Sequence, residues 1–174
     1  AFETIVASGE NSSKPHAVPT DRKIEDIDVI TIDMGCRING YCSDMTRTIF
    51  VGEVPDYIKP VYDLVLKNQE QVLKDLKENS NTKLIAKMVD NDFRLNNHDF
   101  IHALGHGIGL HIHEGPVISI NSENVLRENM VVTNEPGIYI AGRFGVRIED
   151  TVLIGKGACE ALTKSPKKYV VIKT

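Results

Sequence analysis

Five of the six histidines, His98, His102, His106, His111 and His113, crowd into or just before the stretch Phe100 to Pro116, FIHALGHGIGLHIHEGP. Two histidines four apart, His102 and His106, would share a helical face as the pair in the HExxH zinc signature does. The glutamate of that signature is missing, and Gly105, Gly107 and Gly109 alternate through the segment. Such alternation is costly in a helix and suits extended chain that other backbone approaches closely. The stretch therefore reads as one strand with glycine-lined flanks. That places His102 and His106 on one face and His111 and His113 on the other, unless a bulge shifts the count. Clustered imidazoles imply chemistry only if acidic partners lie elsewhere.

Two segments supply such partners. Val29 to Ile32 reads as a buried strand ending in Asp33, and Asn39-Gly40 is a strong hairpin signal that turns the chain into Tyr41 to Val51. With Asn39 and Gly40 as the turn, Gly35 falls opposite Asp44, and Asp33 becomes its diagonal neighbour, about 7–8 Å away. Val131 to Ile140 and Val146 to Ile154 read as a second strand pair around Gly142, from which Glu135 and Glu149 are equally distant, so they oppose each other. Pro136 removes a ladder donor beside Glu135 and predicts a bulge or an edge. Acids embedded among Val, Ile and Thr are costly unless paired, hydrogen-bonded or coordinated. Asp33, Asp44, Glu135 and Glu149 with His106 make an oxygen-rich donor set with one nitrogen, which suits two divalent ions, Mn, Co, Zn or Fe. Two such ions balance four carboxylates and favour hydrolysis.

The elements that must hold this set follow from periodicity. Ser8 to Thr20, rich in Gly, Asn, Ser and Pro, reads as a loop after a short strand at Thr4 to Ala7, and its His16 alone reads as an exposed loop residue. Val61, Leu64, Val65, Val72, Leu73 and Leu76 recur at three and four within Pro55 to Asn79 and predict a helix; a second, shorter one covers Leu84 to Val89. Their apolar stripes would cover one face of a sheet. Val117 to Ile120 extends the central strand, and Ser122 to Asn129 reads as a turn or short helix.

A length of 174 residues fits one domain, and 41% hydrophobic with 25% charged content fits a folded globular chain. A net charge of -4 without a basic stripe argues against nucleic acid, and KSPKK (Lys164 to Lys168) reads as a solvated turn. No apolar run reaches the roughly 20 residues of a membrane span, and the first residues, AFETIVASGEN, have neither the basic start nor the apolar centre of a signal peptide. Three cysteines, Cys36, Cys42 and Cys159, form no disulfide framework and point to the reduced thiols of the cytoplasm. The chain lacks an initiator methionine and opens in a strand, so it reads as the C-terminal part of something longer.

The motifs ITIDMGC, YCSDMTRT, HALGHGIGLHIHE, TNEPGIY and GVRIEDTV, in this order and spacing, resemble those of the pita-bread metallopeptidases, most of all the Xaa-Pro branch of aminopeptidase P and prolidase. The resemblance runs from about Ile5 to Ile172. It implies an α+β pita-bread fold, a curved antiparallel sheet covered by helices, truncated at its N-terminus, with residues 1–174 forming the catalytic domain. It implies that Asp33 holds one metal, Asp44 and Glu149 bridge both, and His106 and Glu135 hold the second, Mn being the expected ion. Glu135 would also move the proton as acid and base. His113 would stabilise the transition state, His16 would face the scissile imide, and His102 and Arg147 would contact substrate near the leaving group. The implied substrate is a peptide with proline second, and the implied assembly of the full-length protein is a homodimer.

Met34, Ala103 and Asn134 depart from the family pattern without removing a ligand. Val117 stands where some prolidases have an arginine for the substrate carboxylate, which favours aminopeptidase P over a strict dipeptidase. Arg147-Ile148-Glu149-Asp150 matches the Xaa-Pro pattern rather than methionine aminopeptidase. A second class, a binding module of the same fold, and a third, a metal-free creatinase-like hydrolase, both predict replaced ligands, whereas all five are present.

Overall fold

The structure is a computed structural model that describes residues 1–173. In chain order its strands are β1 (Ile5–Ser8), β2 (Val29–Met34), β3 (Arg37–Ile38), β4 (Tyr41–Cys42), β5 (Met45–Val51), β6 (Gly105–Gly107), β7 (Glu114–Ile118), β8 (Val131–Asn134), β9 (Gly137–Ile140), β10 (Phe144–Arg147), β11 (Asp150–Ile154), β12 (Cys159–Ala161) and β13 (Val171–Ile172). Helices α1 (Lys59–Asp75) and α2 (Thr82–Leu95) lie between β5 and β6. The two larger sheets run β1-β2-β5-β13 and β12-β11-β8-β6-β7, antiparallel except where β13 joins β5. No helix among the described residues is long and apolar enough to cross a membrane.

Both predicted hairpins keep their register. Asp33 pairs with Thr46 and Met34 with Met45, and the tip pairs Arg37 with Cys42, which brings Gly35 opposite Asp44 as expected. In the second hairpin Gly137 pairs with Arg147 on one side of the acids and Asn134 with Asp150 on the other, so Glu135 and Glu149 face each other. The ladder is interrupted there at Pro136, splitting what reads as one hairpin into β9–β10 and β8–β11, which lie in different sheets.

The histidine-rich stretch is not a single strand. β6 and β7 are antiparallel neighbours with a register shift between His106 and Gly107, and residues 108–113 form the turn between them. The Glu114 carboxylate closes that turn by accepting from the His111 amide at 2.8 Å, a side-chain contact that strand periodicity does not reveal. Glycine permits the close approach on either side of His106. A Cβ at Gly105 would stand 2.0 Å from the Thr133 carbonyl oxygen, and one at Gly107 2.2 Å from that of Gly115.

Helix α1 carries Pro60 in its first turn and buries Val61, Tyr62, Val65 and Val72 along one face. Helix α2, longer than the spacing predicts, starts where the Asn81 side chain accepts from the Leu84 amide at 3.1 Å and buries Ile85, Ala86, Val89 and Phe93. These faces share one core with Leu104, just before β6, and with Phe50, Ile118, Val132, Val146 and Val152 from the sheets. The segment around KSPKK is solvent-exposed as expected except at Lys167, whose side chain turns inward. Lys167 reaches the fully buried Asp150 at 2.7 Å, and Arg47 donates to Asp150 at 2.8 Å and to the Ser165 carbonyl at 2.9 Å. A buried carboxylate needs such partners, and Gln69 of α1 and Thr163 complete its shell.

Candidate metal centre

A cleft of about 650 Å³ gathers Asp33, Asp44, His106, Glu135 and Glu149 from four separate parts of the chain. One ligand atom from each of Asp44, His106 and Glu149 lies within 4.8 Å of the others. His106 Nε2 stands 3.7 Å from Asp44 Oδ2 and 3.4 Å from Glu135 Oε1. Its Nδ1 faces the Gly107 carbonyl at 3.0 Å, so it must carry the proton, which leaves Nε2 bare toward the acids. Thr133 ties two of these residues together: its Oγ1 accepts from the His106 amide at 3.0 Å and donates to Glu135 Oε1 at 3.0 Å.

Arg147 organises the opposite wall. Its guanidinium meets Asp33 Oδ2 at 2.7 Å, the Tyr139 hydroxyl at 2.8 Å, Thr46 Oγ1 at 3.1 Å and the Pro15 carbonyl at 3.0 Å. Thr46 in turn donates to Glu149 Oε2 at 2.7 Å. Holding Pro15 fixes the neighbouring His16 in the cleft lining, and the 3-10 turn Gly9–Ser13 packs so tightly on β10 that a Cβ at Gly145 would lie 2.1 Å from the Ser12 carbonyl oxygen. His102 also lines the cleft. Its Nδ1 donates to the Ala103 carbonyl at 2.7 Å, so Nε2 accepts from Tyr139 at 3.0 Å. His113 returns into the cleft through the β6–β7 turn, its ring edge-on to His106 with centroids 4.4 Å apart. His98 and His111 do not line it.

The electrostatics are those of a site short of positive charge. Burial raises Asp44 to about 8, with the charges of Asp33 and Glu135 adding to it. Burial likewise lifts Glu135 to about 7 against the opposing pull of Arg147 and Thr133, and it carries Glu149 well above the usual carboxylate range, helped by Glu135, Asp44 and Asp33. Burial pushes His102 down to about 4 and lowers His106 as well. Asp33 Oδ1 is buried with no hydrogen-bond partner among the described residues. An orphaned carboxylate oxygen, three further repelling acids and one bare imidazole nitrogen are the donor set that divalent ions fit.

The family model for metallopeptidase family M24 matches residues 1–156. The chain belongs to metallopeptidase family M24. It is 45% identical over 173 residues to the Xaa-Pro dipeptidase of Pyrococcus furiosus, covering 98% of this chain and 49% of that protein. Among solved structures it superposes on the X-Pro aminopeptidase of Thermotoga maritima with a TM-score of 0.95 at 44% identity, covering 98% of this chain and 49% of the other. Aminopeptidase P of Escherichia coli gives 0.87 at 30% identity, with 96% and 45% coverage. The chain thus spans about half the length of the relatives it matches, and its α+β architecture is the pita-bread fold that the motifs imply. Membership in a metallopeptidase family accounts for a divalent-metal donor set in the cleft.

Two residues of the cleft and one buried behind it escape sequence reasoning. Tyr139 links Arg147 to His102, Thr46 links Arg147 to Glu149, and Phe2 supplies apolar lining. For Thr46 a signal existed, because the hairpin register that relates Asp33 to Asp44 also sets Thr46 directly across from Asp33.

Proposed function

We propose that residues 1–174 form the catalytic domain of an enzyme that hydrolyses the Xaa-Pro bond at the N-terminus of peptides, in the manner of aminopeptidase P. The observation that carries this reading is the convergence of Asp33, Asp44, His106, Glu135 and Glu149 on one cleft, with a buried oxygen of Asp33 lacking any partner among the described residues. In this reading Asp33, Asp44, His106, Glu135 and Glu149 would together hold the ions. Two divalent ions, Mn being the one we favour, would supply the Lewis acidity that activates water and polarises the carbonyl of the bond to be broken.

The rest falls to the chain's own side chains. A bond to proline nitrogen is a tertiary amide without an N–H, so its departure requires a proton delivered to that nitrogen. Glu135, held by Thr133, carries the proton from the attacking water to the leaving nitrogen. His113 and His16, on opposite walls, donate to the oxygen that gains charge and to the imide region, while Tyr139 and Arg147 hold the neutral His102 in place beside the leaving group.

Peptides longer than two residues fit better than dipeptides, because four of the five N–H donors of Arg147 are taken within the fold and the wall at Val117 bears no cation for a nearby carboxylate. The dipeptidase alternative has its support in the name of the Pyrococcus furiosus relative. A cytoplasmic enzyme, in keeping with its three free cysteines, and a homodimer of the full-length protein complete the reading. The test is release of alanine from Ala-Pro-Pro and Ala-Pro by the Mn(II)-loaded protein. We expect the tripeptide to be the better substrate. A preference for Ala-Pro would make the enzyme a prolidase, and no cleavage of either would reject the peptidase reading.

A further inference from the structure

A peptide that continues past its proline must leave the cleft, and its terminal carboxylate needs a partner. Among the described lining residues Arg147 is the one permanent cation, and Asp33, Tyr139, Thr46 and Pro15 take up its guanidinium. Across β7 lies a second cavity of about 560 Å³, lined by Pro116, Asn124, Val125, Arg127 and Met130. Gly115 lines both cavities, and a Cβ there would meet nothing within 4 Å, so the rim between them is low. Among the described residues β7 is the terminal strand of its sheet, and no further strand closes the route. Arg127 is exposed, and among the described residues its side chain makes no ion pair or hydrogen bond. The acid in this second cavity, Glu123, is already paired with Lys83 at 2.8 Å.

We propose that the second cavity is the subsite for the residues beyond proline, with Arg127 receiving the C-terminal carboxylate of a short peptide that crosses the rim at Gly115. The proposal rests on the peptidase reading above and names where its longer substrates go. A guanidinium offers a carboxylate two parallel charge-assisted hydrogen bonds. Arg127 attracts the carboxylate end of the peptide, so its charge orients the chain across the rim. Strand addition contributes little, because the Val117 carbonyl on this edge already accepts from Ser122 Oγ at 2.7 Å and Asn124 Nδ2 at 3.3 Å. Pro116, Val125 and Met130 supply an apolar floor instead.

The experiment compares free-acid and C-terminally amidated peptides of the series Ala-Pro, Ala-Pro-Ala and longer alanine extensions, using the Mn(II)-loaded full chain. At one length beyond Ala-Pro, kcat/KM should favour the acid over the amide by about fivefold, the worth of an exposed ion pair. Arg127→Gln should abolish that ratio, and Arg127→Glu should turn it toward the amide. Because each ratio is taken within one variant, a lower yield of folded protein cancels. Cleavage with the same acid-to-amide ratio in all three proteins at every length overturns the subsite alone. Absence of cleavage across the whole series removes the peptidase reading, and the subsite with it.

Discussion

A carboxylate that moves a proton must also be able to hold one, and Glu135 is placed for both tasks. Its Oε1 lies 3.4 Å from His106 Nε2 and accepts from Thr133, so its position is set from two sides. Glu135→Gln keeps the size of the side chain and the acceptor toward Thr133 while removing the titrating oxygen. Turnover of an Xaa-Pro peptide should fall by about a thousandfold, the scale of a lost general acid–base. The metal-free variant should melt no lower than the metal-free parent, because one of four mutually repelling acids is gone. Substantial turnover in that variant, read by alanine release, would remove Glu135 from its role. The carboxylates were legible in the sequence because buried acids among β-branched residues are conspicuous. Tyr139 was not, and for Thr46 the register gives the place but not the role, because a neutral hydroxyl acquires meaning only from the two groups it joins.

At the scale of elements, the site is the product of three hairpins whose registers must agree. Two were readable: Asn39-Gly40 sets the first, and the equal spacing of Glu135 and Glu149 from Gly142 sets the second. The third was not. Alternating glycines between His102 and His113 look like one extended strand, and the reversal at residues 108–113 depends on a carboxylate–amide contact and on β8 packing against Gly105. That packing is testable. Gly105→Ala would put a methyl group 2.0 Å from the Thr133 carbonyl oxygen, forcing β6 from β8 and displacing His106. Overpacking of this kind costs about 1–3 kcal/mol, or a melting temperature lower by about 3–10 °C. Gly157→Ala, where nothing lies within 4 Å, is the control and should change little. Equal melting temperatures for the two variants would contradict the close contact on which the placement of His106 depends.

For the molecule as a whole, the helix-covered sheets were legible from periodicity, whereas the C-terminal clamp was not. KSPKK has the composition of a solvated turn, and only the burial of Asp150 behind the acid-bearing hairpin explains why Lys167 packs inward. The same accumulation of acids sets how stability depends on pH and metal. Asp44 and Glu135, with ordinary values of 3.8 and 4.5, are raised to about 8 and 7 in the fold, so the folded state holds protons that the unfolded chain has released. The stability this contributes is present at low pH and is lost as pH rises through those values. His102, lowered to about 4, acts with the opposite sign, but only below about pH 6.5, where the unfolded imidazole protonates first. Between pH 6.5 and 8.5 the carboxylates therefore act alone, and the melting temperature in saturating chelator should fall by something on the order of 5 °C. Divalent ions bind the deprotonated acids and stabilise the fold in proportion to that binding, so with Mn(II) the fall should shrink or reverse. The gap between the two melting curves should widen steadily across this window. A gap that stays constant from pH 6.5 to 8.5, or no effect of chelator at all, would mean that the four acids do not share one site.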